Sequence, residues 1–361
     1  MRFHVAALPH TCVTTEYLSC AYTAKVLNFC RMMKDRGHEV FLYGGEQNEA
    51  LCDEHIVCVS EADRAAHVGD GHFTSASFDY TLPFWRNANA KMAEEIKKRA
   101  QHKDFLCIIG GYAQKPIADA LPNMMAVEFG VGYGGSFSQY RVFESYAWMH
   151  LCYGSAKGGD PHGVDGNWWD TVIPGYLDPE QFPFSADKDD YFLFVGRLIE
   201  RKGAHIASEV CRHLNKRLVV AGQGTPPLGS DYVGVVGPEE RGILMSRAKA
   251  VFVPTIYVEP FANVHVEAQA CGTPVVATAV GGLRTAVADG ISGSLVDGHN
   301  PRAWSAVISR LLMEPERRLI LGMGAVEHAS HFGWDTTARG MLDVYDRVLS
   351  QGQNARLNLA Q

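Results

Sequence analysis

Short apolar runs that end at a glycine or proline, each followed by a helical stretch, recur along the whole chain. The first run spans residues 3–8, a helical pattern follows over about 22–36, Gly37 stops it, and 39–43 is apolar again. This order is typical of parallel strands joined by helical crossovers. The same rhythm restarts at 191–195. The sequence therefore predicts an α/β protein with two doubly wound domains.

The chain length of 361 residues supports two domains, or one large barrel-like domain, because an ordinary domain has roughly 100–200 residues. The pattern fails over 155–171, which is rich in glycine, and 187–190 is polar, so we expect the domain crossover there. We predict a first Rossmann-like domain over 1–170 and a second over 171–335; whether 336–361 pack back on the first stays open. Two such domains facing each other across a cleft would bind ligands at the carboxyl ends of their strands.

The composition is that of a folded, water-soluble chain, with 47% hydrophobic residues, 20% charged residues and a net charge of −7. A nucleic-acid binder usually carries a basic excess, so no nucleic-acid partner is expected. Nine cysteines occur without a CxxC pair, which favours reduced intracellular thiols and argues against metal knuckles. No apolar run approaches the roughly 18 residues of a membrane span, and the amino terminus lacks a signal-peptide pattern. We predict a cytoplasmic protein; peripheral membrane contact and the oligomeric state stay open.

Two cations follow a strand that ends in glycine. After the apolar run 191–195 come Gly196, Arg197 and, further on in the same loop, Lys202. Ligands of doubly wound domains bind at the carboxyl ends of the strands, and an arginine fork and a lysine point charge both suit phosphate. From spacing alone, two surface cations in a turn remain the alternative interpretation.

A second segment places carboxylates beside the start of a helix. Glu259 and Pro260 belong to a loop, a helix is expected to begin at about Asn263 as its N-cap, and Glu267 lies close to its first turn. Unpaired backbone N–H groups at a helix start attract anions, and carboxylates accept hydrogen bonds from hydroxyls. The alternative is a helix with a favourable acidic start.

Together these segments resemble the carboxyl-terminal domain of retaining GT-B glycosyltransferases, specifically glycosyltransferase family 4. Residues 191–296 contain, in order, Val-Gly-Arg-Leu at a strand end, Lys-Gly, Glu-Pro-Phe, a glutamate eight residues after the first, Gly-x-Pro-Val-Val-Ala and a Gly-Gly loop. The motifs occur at plausible separations, so the resemblance is specific and covers the second half of the chain. It implies the GT-B architecture.

The resemblance also implies residue roles. The catalytic residues would be Arg197 and Lys202, which would hold the donor diphosphate, and Glu259, which would contact the transferred sugar. Donor-binding residues around ribose, base, sugar and phosphate would be Gly196, Val236, Gly237, Phe261, Ala262, Asn263, Val264 and Glu267, the last of them on the ribose hydroxyls. Family members carry glycine where this chain has Ala262, which narrows the room for the sugar and leaves its identity open.

The first half is less informative, because the acceptor varies among such enzymes. His10 follows the first strand and could reach the cleft; a loop histidine is the alternative. A later strand ends in a flexible loop that contains Glu128, Gly132 and Tyr133. We predict these residues on the acceptor or sugar side, and for Glu128 the alternative is a buried, hydrogen-bonded acid.

Two further motifs are interpreted as coincidental. Gly130-x-Gly132-x-x-Gly135 matches the dinucleotide fingerprint, but it lies outside the first βα unit and no acidic strand end follows about 20 residues on. Asp187-Lys188-Asp189 matches the Asp-x-Asp of metal-dependent transferases, but it lies in the polar crossover. We expect no cofactor and no metal, because Arg197 and Lys202 would supply the positive charge.

The predicted function is the transfer, with retention of anomeric configuration, of a hexose-type sugar from a UDP- or GDP-linked donor to a hydroxyl of a carbohydrate or other acceptor. A GT-B sugar-nucleotide epimerase or phosphorylase is one alternative. A non-catalytic subunit that binds a sugar nucleotide is the other.

Overall fold

The computed structural model describes residues 1–73, 76–156, 158, 166–167, 169–178 and 182–359, with side chains up to 351. The chain divides into two compact units. Unit 1 comprises Met1–Phe143, Cys152–Ile173 and Ala338–Gln361, and unit 2 comprises Glu144–Leu151 and Pro174–Thr337.

The observed division changes between Ile173 and Pro174, close to the predicted boundary at 170/171. Residues 338–361 belong to unit 1, the arrangement that the sequence left open. One stretch differs from the prediction, because Glu144–Leu151 belongs to unit 2. Residues 157, 159–165, 168 and 179–181 of the predicted crossover lie outside the described residues.

Unit 1 is built on a parallel sheet whose described strands lie in the order β3-β2-β1-β4-β5-β6-β7. The order reverses between β1 and β4, as in doubly wound sheets. The strands are β1 Arg2–Ala6, β2 Glu39–Gly44, β3 Glu54–Val57, β4 Phe105–Ile108, β5 Met125–Val131, β6 Tyr140–Phe143 and β7 Thr171–Val172.

Helices connect these strands. They are α1 Ala21–Lys34, α2 Glu61–Val68, α3 Pro83–Arg99, α4 Lys115–Ala120 and α5 Tyr146–Ala156. The sequence did not predict β3 or α2, since β3 is a short edge strand and no described residue of α2 is buried, so neither shows a clear apolar period. Ser60 caps α2, because its Oγ accepts a hydrogen bond from the N–H of Asp63 at 3.1 Å.

Unit 2 repeats the architecture, with described strands in the order β10-β9-β8-β11-β12-β13, all parallel. The strands are β8 Phe192–Val195, β9 Leu218–Ala221, β10 Asp231–Tyr232, β11 Val251–Val253, β12 Val275–Thr278 and β13 Gly293–Val296. The helices are α6 Ala204–His213, α7 Pro238–Arg247, α8 Asn263–Ala270, α9 Leu283–Ala286, α10 Pro301–Met313 and α11 Pro315–Ser330, followed by α12 Trp334–Leu359.

Two elements of unit 2 differ from the expectation, and both differences involve glycine. The sequence pattern predicts a strand over 233–236. The structure has it at Asp231–Tyr232 instead, because Gly234 has φ +86° and ends it. Helix α11 was not predicted from the sequence, and it contains Gly322 and Gly324. They are places of close packing: a Cβ at Gly322 would lie 2.7 Å from the carbonyl oxygen of Gly272, and one at Gly324 would lie 2.4 Å from that of Ile291.

The carboxyl-terminal helix α12 completes the core of unit 1. Its Tyr345 is fully buried, with its ring centroid 4.8 Å from that of Phe3 and 4.7 Å from that of Phe105. Its hydroxyl lies 3.3 Å from Cys107 Sγ. Burying one large aromatic ring contributes roughly 2–3 kcal/mol, so this contact ties the chain terminus to the first strand.

Among the described residues, no helix combines the length and apolar character needed to cross a bilayer.

A buried polar network joins the beginnings of β1 and β4. Asp104 is 3% exposed, and its Oδ2 lies 2.9 Å from His4 Nε2, 3.2 Å from Arg2 Nε and 2.8 Å from the N–H of Gln101. The other nitrogen of His4, Nδ1, lies 2.8 Å from the hydroxyl of Tyr43. Removing one partner from such a network leaves the others buried and unsatisfied.

We therefore expect Asp104→Ala to lower the free energy of unfolding by about 3 kcal/mol, measured by urea unfolding. Glu39→Ala is the matched control, because Glu39 also pairs with Arg2, at 2.7 Å, but is 53% exposed. The control should cost less than about 1 kcal/mol. Equal losses in the two variants would show that burial of the network does not matter.

Candidate functional site

An ion pair and a tyrosine form the centre of the candidate site in unit 2. Lys202 Nζ lies 2.6 Å from Glu259 Oε2, and the two side chains are 20% and 7% exposed. The hydroxyl of Tyr257 donates to Glu259 Oε1 at 2.8 Å, and that of Thr255 donates to Oε2 at 3.4 Å. The carboxylate is thus fixed from both oxygens, and it fixes the ammonium group in turn.

Sheet topology brings Lys202 and Glu259 together. Lys202 closes a short 3-10 turn after β8, Glu259 lies in the loop after β11, and β8 and β11 are neighbours in the sheet. Gly203 then packs against the second loop so closely that a Cβ would lie 2.0 Å from the carbonyl oxygen of Pro254. The N–H of Ile256 also donates to the carbonyl of Arg201 at 2.8 Å. The two loops therefore hold each other through their backbones.

A third loop closes on the backbone of Glu259 and Pro260. The N–H of Gly282 donates to the carbonyl of Glu259 at 2.8 Å. A Cβ at Gly281 would lie 2.5 Å from that same oxygen, and one at Gly282 would lie 2.1 Å from the carbonyl oxygen of Pro260. Only glycine fits at these two positions, which gives the Gly-Gly motif a structural reason.

Helix α8 begins directly after this backbone. The N-cap is Ala262, with φ +66° and ψ 90°, and not Asn263 as expected from its residue type. Alanine rarely adopts a positive φ, so the conformation explains why glycine is common here in the family that the sequence resembles. Among the described residues, the N–H groups of Ala262, Asn263 and Val264 have no hydrogen-bond acceptor. They form a set of hydrogen-bond donors that follows Glu259 closely along the chain.

Glu267, on α8, is held by an arginine that the sequence did not single out. Arg241 Nε lies 2.9 Å from Oε2 of Glu267, and Arg241 Nη2 donates to its Oε1 at 2.9 Å. Arg241 belongs to α7, whose N-cap is Gly237. Val236 and Gly237, which the resemblance places among the donor-binding residues near the base, therefore lie at the start of the helix that orients Glu267. No sequence spacing links Arg241 with Glu267, because they lie on different helices.

Arg197 is exposed and forms no hydrogen bond or ion pair with any described residue. Burial raises the pKa of Tyr257, and the carboxylate of Glu259 raises it further. The positive charges of Arg201 and Arg197 oppose this rise. Tyr257 therefore stays protonated and donates to Glu259. Its ring also lies beneath two cations, 5.2 Å from Lys202 Nζ and 5.1 Å from the guanidinium carbon of Arg201.

In unit 1, Glu128 lies inside the domain and supports the loop that follows it. The residue is fully buried, and its carboxylate accepts from the hydroxyl of Tyr133 at 3.0 Å and from the N–H groups of Phe137 and Ser138 at 2.9 and 2.8 Å. Burial raises its pKa, and these hydrogen bonds oppose the rise. This geometry corrects the placement of Glu128 as a cleft residue and matches the alternative of a buried, hydrogen-bonded acid.

The other residues predicted on the acceptor side belong to the same loop or to the loop after β1. Gly132 is half-buried and its carbonyl accepts from the hydroxyl of Tyr22 at 3.3 Å. Tyr133 is held by its bond to Glu128. His10 is 1% exposed and packs edge-on against Phe78, with ring centroids 4.7 Å apart. The imidazole is therefore a core group, and its Nδ1 has no partner among the described residues.

The Asp187-Lys188-Asp189 motif has a structural role in unit 2. Lys188 is turned to the interior, where Nζ donates to the carbonyl of Ser246 and to Thr273 Oγ1, both at 2.7 Å. Asp189 pairs with Arg247 at 2.7 Å. The described residues contain no cluster of three or more His, Cys, Asp or Glu side chains arranged to hold a metal ion.

The second half of the chain matches a known protein family. Residues 179–327 match the family model described as glycosyl transferases group 1. The D-inositol 3-phosphate glycosyltransferase of Frankia alni is 42% identical over 209 residues, 50% of this chain and 51% of that protein. That of Salinispora tropica is 53% identical over 108 residues, 30% of this chain and 22% of that protein. The chain spans about half the length, or less, of the curated relatives it matches.

Solved structures share the whole fold at low identity. Sucrose-phosphate synthase from Thermosynechococcus elongatus aligns with a TM-score of 0.69 at 18% identity, over 97% of this chain and 100% of that one. AviGT4, a glycosyltransferase of avilamycin A biosynthesis, aligns with a TM-score of 0.66 at 22% identity, over 97% and 98%. Anabaena HepE in complex with UDP-glucose aligns with a TM-score of 0.67 at 16% identity, over 96% and 100%.

The two parallel sheets with interleaved helices, together with these neighbours, define a protein of the GT-B fold. Its second unit carries a match to the glycosyl transferases group 1 family over residues 179–327. The resemblance deduced from the sequence motifs is thereby confirmed.

Because two histidines are buried in the folded protein, we expect the protein to lose stability in mild acid. Burial lowers the pKa of His10 from 6.5 to about 4, with smaller effects of the charges of His67 and Arg64, and burial lowers that of His265 to about 3. In the unfolded chain both imidazoles take up protons below pH 6.5, whereas in the folded protein they stay neutral. The free energy of unfolding should therefore fall with pH below 6.5, by up to about 1.4 kcal/mol per unit for each histidine.

Urea unfolding at pH 7, 6 and 5 measures this slope. His10→Phe preserves an aromatic ring and removes one titrating group, so its slope between pH 6 and 5 should be shallower than that of the wild type. Parallel slopes would mean that the imidazole of His10 reaches water in the folded protein.

Proposed function

We propose that this chain is a retaining glycosyltransferase that moves a hexose-type sugar from a UDP- or GDP-linked donor to an acceptor hydroxyl without a metal ion. The observation that carries the proposal is the combination of Lys202, Arg197 and the unpaired N–H groups of Ala262–Val264 at one edge of the unit 2 sheet. These groups supply positive charge and hydrogen-bond donors, which suits a diphosphate.

The diphosphate would be bound by groups that are already in position. Lys202 uses one of its N–H donors on Glu259 and keeps two for phosphate oxygens. Arg197, unpaired among the described residues, can offer a bidentate fork. The N–H groups at the start of α8 add the positive end of the helix dipole. No side chain has to leave a partner for these contacts to form.

The carboxylates would recognise hydroxyl groups. Glu267 is held through both oxygens by Arg241, yet each oxygen retains a lone pair that can accept from a ribose hydroxyl. Glu259 accepts from Lys202, Tyr257 and Thr255, and its remaining acceptor capacity would serve the transferred sugar. Because Glu259 is 7% exposed, any contact with the sugar is made at the surface of the cluster.

The chemical step would then be a displacement at the anomeric carbon. The bond from that carbon to the diphosphate oxygen breaks with its electron pair on the oxygen, and the acceptor oxygen forms the new bond on the same face. The acceptor proton passes to the departing phosphate oxygen, so the step needs no separate base. Charge develops on the diphosphate, and Lys202, Arg197 and the α8 N–H groups would stabilise it there, in the place that a metal ion occupies in other transferases.

The substrates named for related proteins suggest which donor and acceptor to test first. HepE was solved with UDP-glucose, and the curated relatives are D-inositol 3-phosphate glycosyltransferases. UDP-glucose is therefore the first donor to test and an inositol phosphate the first acceptor.

We expect one nucleotide sugar of a UDP- and GDP-linked panel to raise the melting temperature and to be hydrolysed slowly, with equal rates in EDTA and in Mg²⁺. Product NMR should show the anomeric configuration of the donor. Loss of turnover in EDTA would contradict metal independence. If the nucleotide sugar is converted to another nucleotide sugar in the absence of an acceptor, and is not hydrolysed, the protein is an epimerase. If the nucleotide sugar binds but is not turned over with any acceptor, the protein is a binding subunit.

Arg197→Ala should lower kcat for the preferred donor by about 100-fold or more, because a charge aimed at the leaving group is removed. The melting temperature should stay within about 2 °C, since Arg197 is exposed and has no described partner. Arg302→Ala is the matched control, because Arg302 is an exposed arginine of unit 2 on α10. Near-normal turnover in Arg197→Ala would refute the proposed role.

A further inference from the structure

The turn before α8 contains two features that are each unfavourable by themselves. Ala262 has φ +66°, a conformation that alanine seldom adopts. Three residues later, His265 is fully buried, and its Nδ1 has no hydrogen-bond partner among the described residues. Rule-breaking features that cluster beside a site point to function rather than to stability.

The two features meet at one carbonyl group. His265 Nε2 donates to the carbonyl oxygen of Phe261, and its ring lies edge-on to the Phe261 ring, with centroids 4.7 Å apart. Burial lowers the pKa of His265 to about 3, so the imidazole is neutral at ordinary pH and carries a single N–H. Because a carbonyl oxygen can only accept, that N–H is on Nε2.

This hydrogen bond fixes the plane of the peptide that joins Phe261 to Ala262. In a trans peptide the C=O and N–H groups point in opposite directions. With the Phe261 carbonyl turned to the buried histidine, the Ala262 N–H points the other way, and it has no acceptor among the described residues. This N–H is one of the hydrogen-bond donors that the proposed function assigns to the diphosphate of the nucleotide sugar.

Half a turn of this peptide plane would reverse both groups. It would also change φ of Ala262 from its positive value to a negative value, which is sterically favoured for L-residues. Alanine therefore favours the reversed peptide, in which a carbonyl oxygen would face the anion. Glycine has no such preference, because it tolerates both signs of φ.

The neighbouring backbone keeps the rest of the turn in place. A Cβ at Gly175 would lie 2.4 Å from the Phe261 ring and 2.2 Å from Asn263 Oδ1, and Gly282 touches the backbone of Pro260. The segment cannot relax by moving as a whole. The orientation of one peptide plane is the freedom that remains.

We propose that His265 is a positioning residue that locks the Phe261–Ala262 peptide in the orientation that presents the Ala262 N–H to the donor. The lock is needed because residue 262 is alanine. The inference rests on the proposed function, in that the donor supplies the anion, but the lock itself belongs to the free protein.

Four proteins test the lock: the wild type, A262G, H265F and the double variant H265F/A262G. Phenylalanine preserves an aromatic ring against Phe261 and removes the donor. Each protein is unfolded thermally without ligand, and kcat and KM are measured with the preferred nucleotide sugar. Binding of UDP and GDP is followed by calorimetry.

The thermal cycle should be non-additive. A262G should raise the melting temperature of the wild type by about 2–4 °C, because it removes the strain. In the H265F background the same change should add less than about 1 °C, because the released peptide has already reversed. Equal shifts in the two backgrounds would overturn the lock. This readout needs no ligand, so it decides the lock even if the wild type binds no nucleotide and the proposed function fails.

The kinetic and binding measurements should show the same coupling between residues 262 and 265. H265F should lower kcat/KM and nucleoside-diphosphate affinity at least about tenfold, which corresponds to one lost hydrogen bond of about 1.4 kcal/mol. In the A262G background the loss should be less than about threefold, and H265Q, whose amide can donate to the same carbonyl, should recover part of it. Equal losses with and without A262G would show that His265 acts only through packing, and no loss in either would show that it positions nothing.

Discussion

Backbone packed directly on backbone is the constraint on which the candidate site depends. At the carboxyl edge of the second sheet, Gly203 lies against Pro254, and Gly281 and Gly282 lie against Glu259 and Pro260, at distances that leave no room for a Cβ. Loops that touch in this way cannot slide past each other without breaking hydrogen bonds. The glycines therefore turn three separate loops and the start of α8 into a single rigid edge.

Rigidity at this edge explains how a few charges can be effective. An exposed lysine on a mobile loop would contribute little, because its charge is screened and its side chain must be ordered at each encounter. Lys202 is instead held by Glu259, and Glu259 by Tyr257, before any ligand arrives. Groups fixed in advance do not have to reorganise when charge develops on a leaving group. Arg241 orients Glu267 in the same manner.

The sequence predicted what depends on local pattern and short motifs. The alternation of strands and helices predicted both sheets, and the strand-end motifs predicted which loops carry Arg197, Lys202 and Glu259. Side-chain contacts between different elements could not be predicted from the sequence, and the ion pair of Arg241 with Glu267 is an example. Helix α11 was not predicted, and the close packing that Gly322 permits depends on tertiary contacts that the local pattern does not show.

Glu128 shows a further reason why sequence reasoning falls short. An acid at the end of a strand, before a glycine-rich loop, has the same local pattern whether it faces a ligand or bonds to its own loop. Its bonds to Tyr133, Phe137 and Ser138 depend on how that loop folds back, which no spacing encodes. The N-cap at Ala262 is similar, since the surrounding loops impose its positive φ.

The central claim is that the rigid edge of unit 2 binds a nucleoside diphosphate through Lys202, Arg197 and the N–H groups that open α8. Hydrogen–deuterium exchange with and without saturating UDP or GDP, in EDTA, tests it most directly. Exchange should slow in peptides that cover 196–203 and 257–267 and stay unchanged in β1–β3 of unit 1. Saturable binding that leaves these segments unprotected would contradict the account.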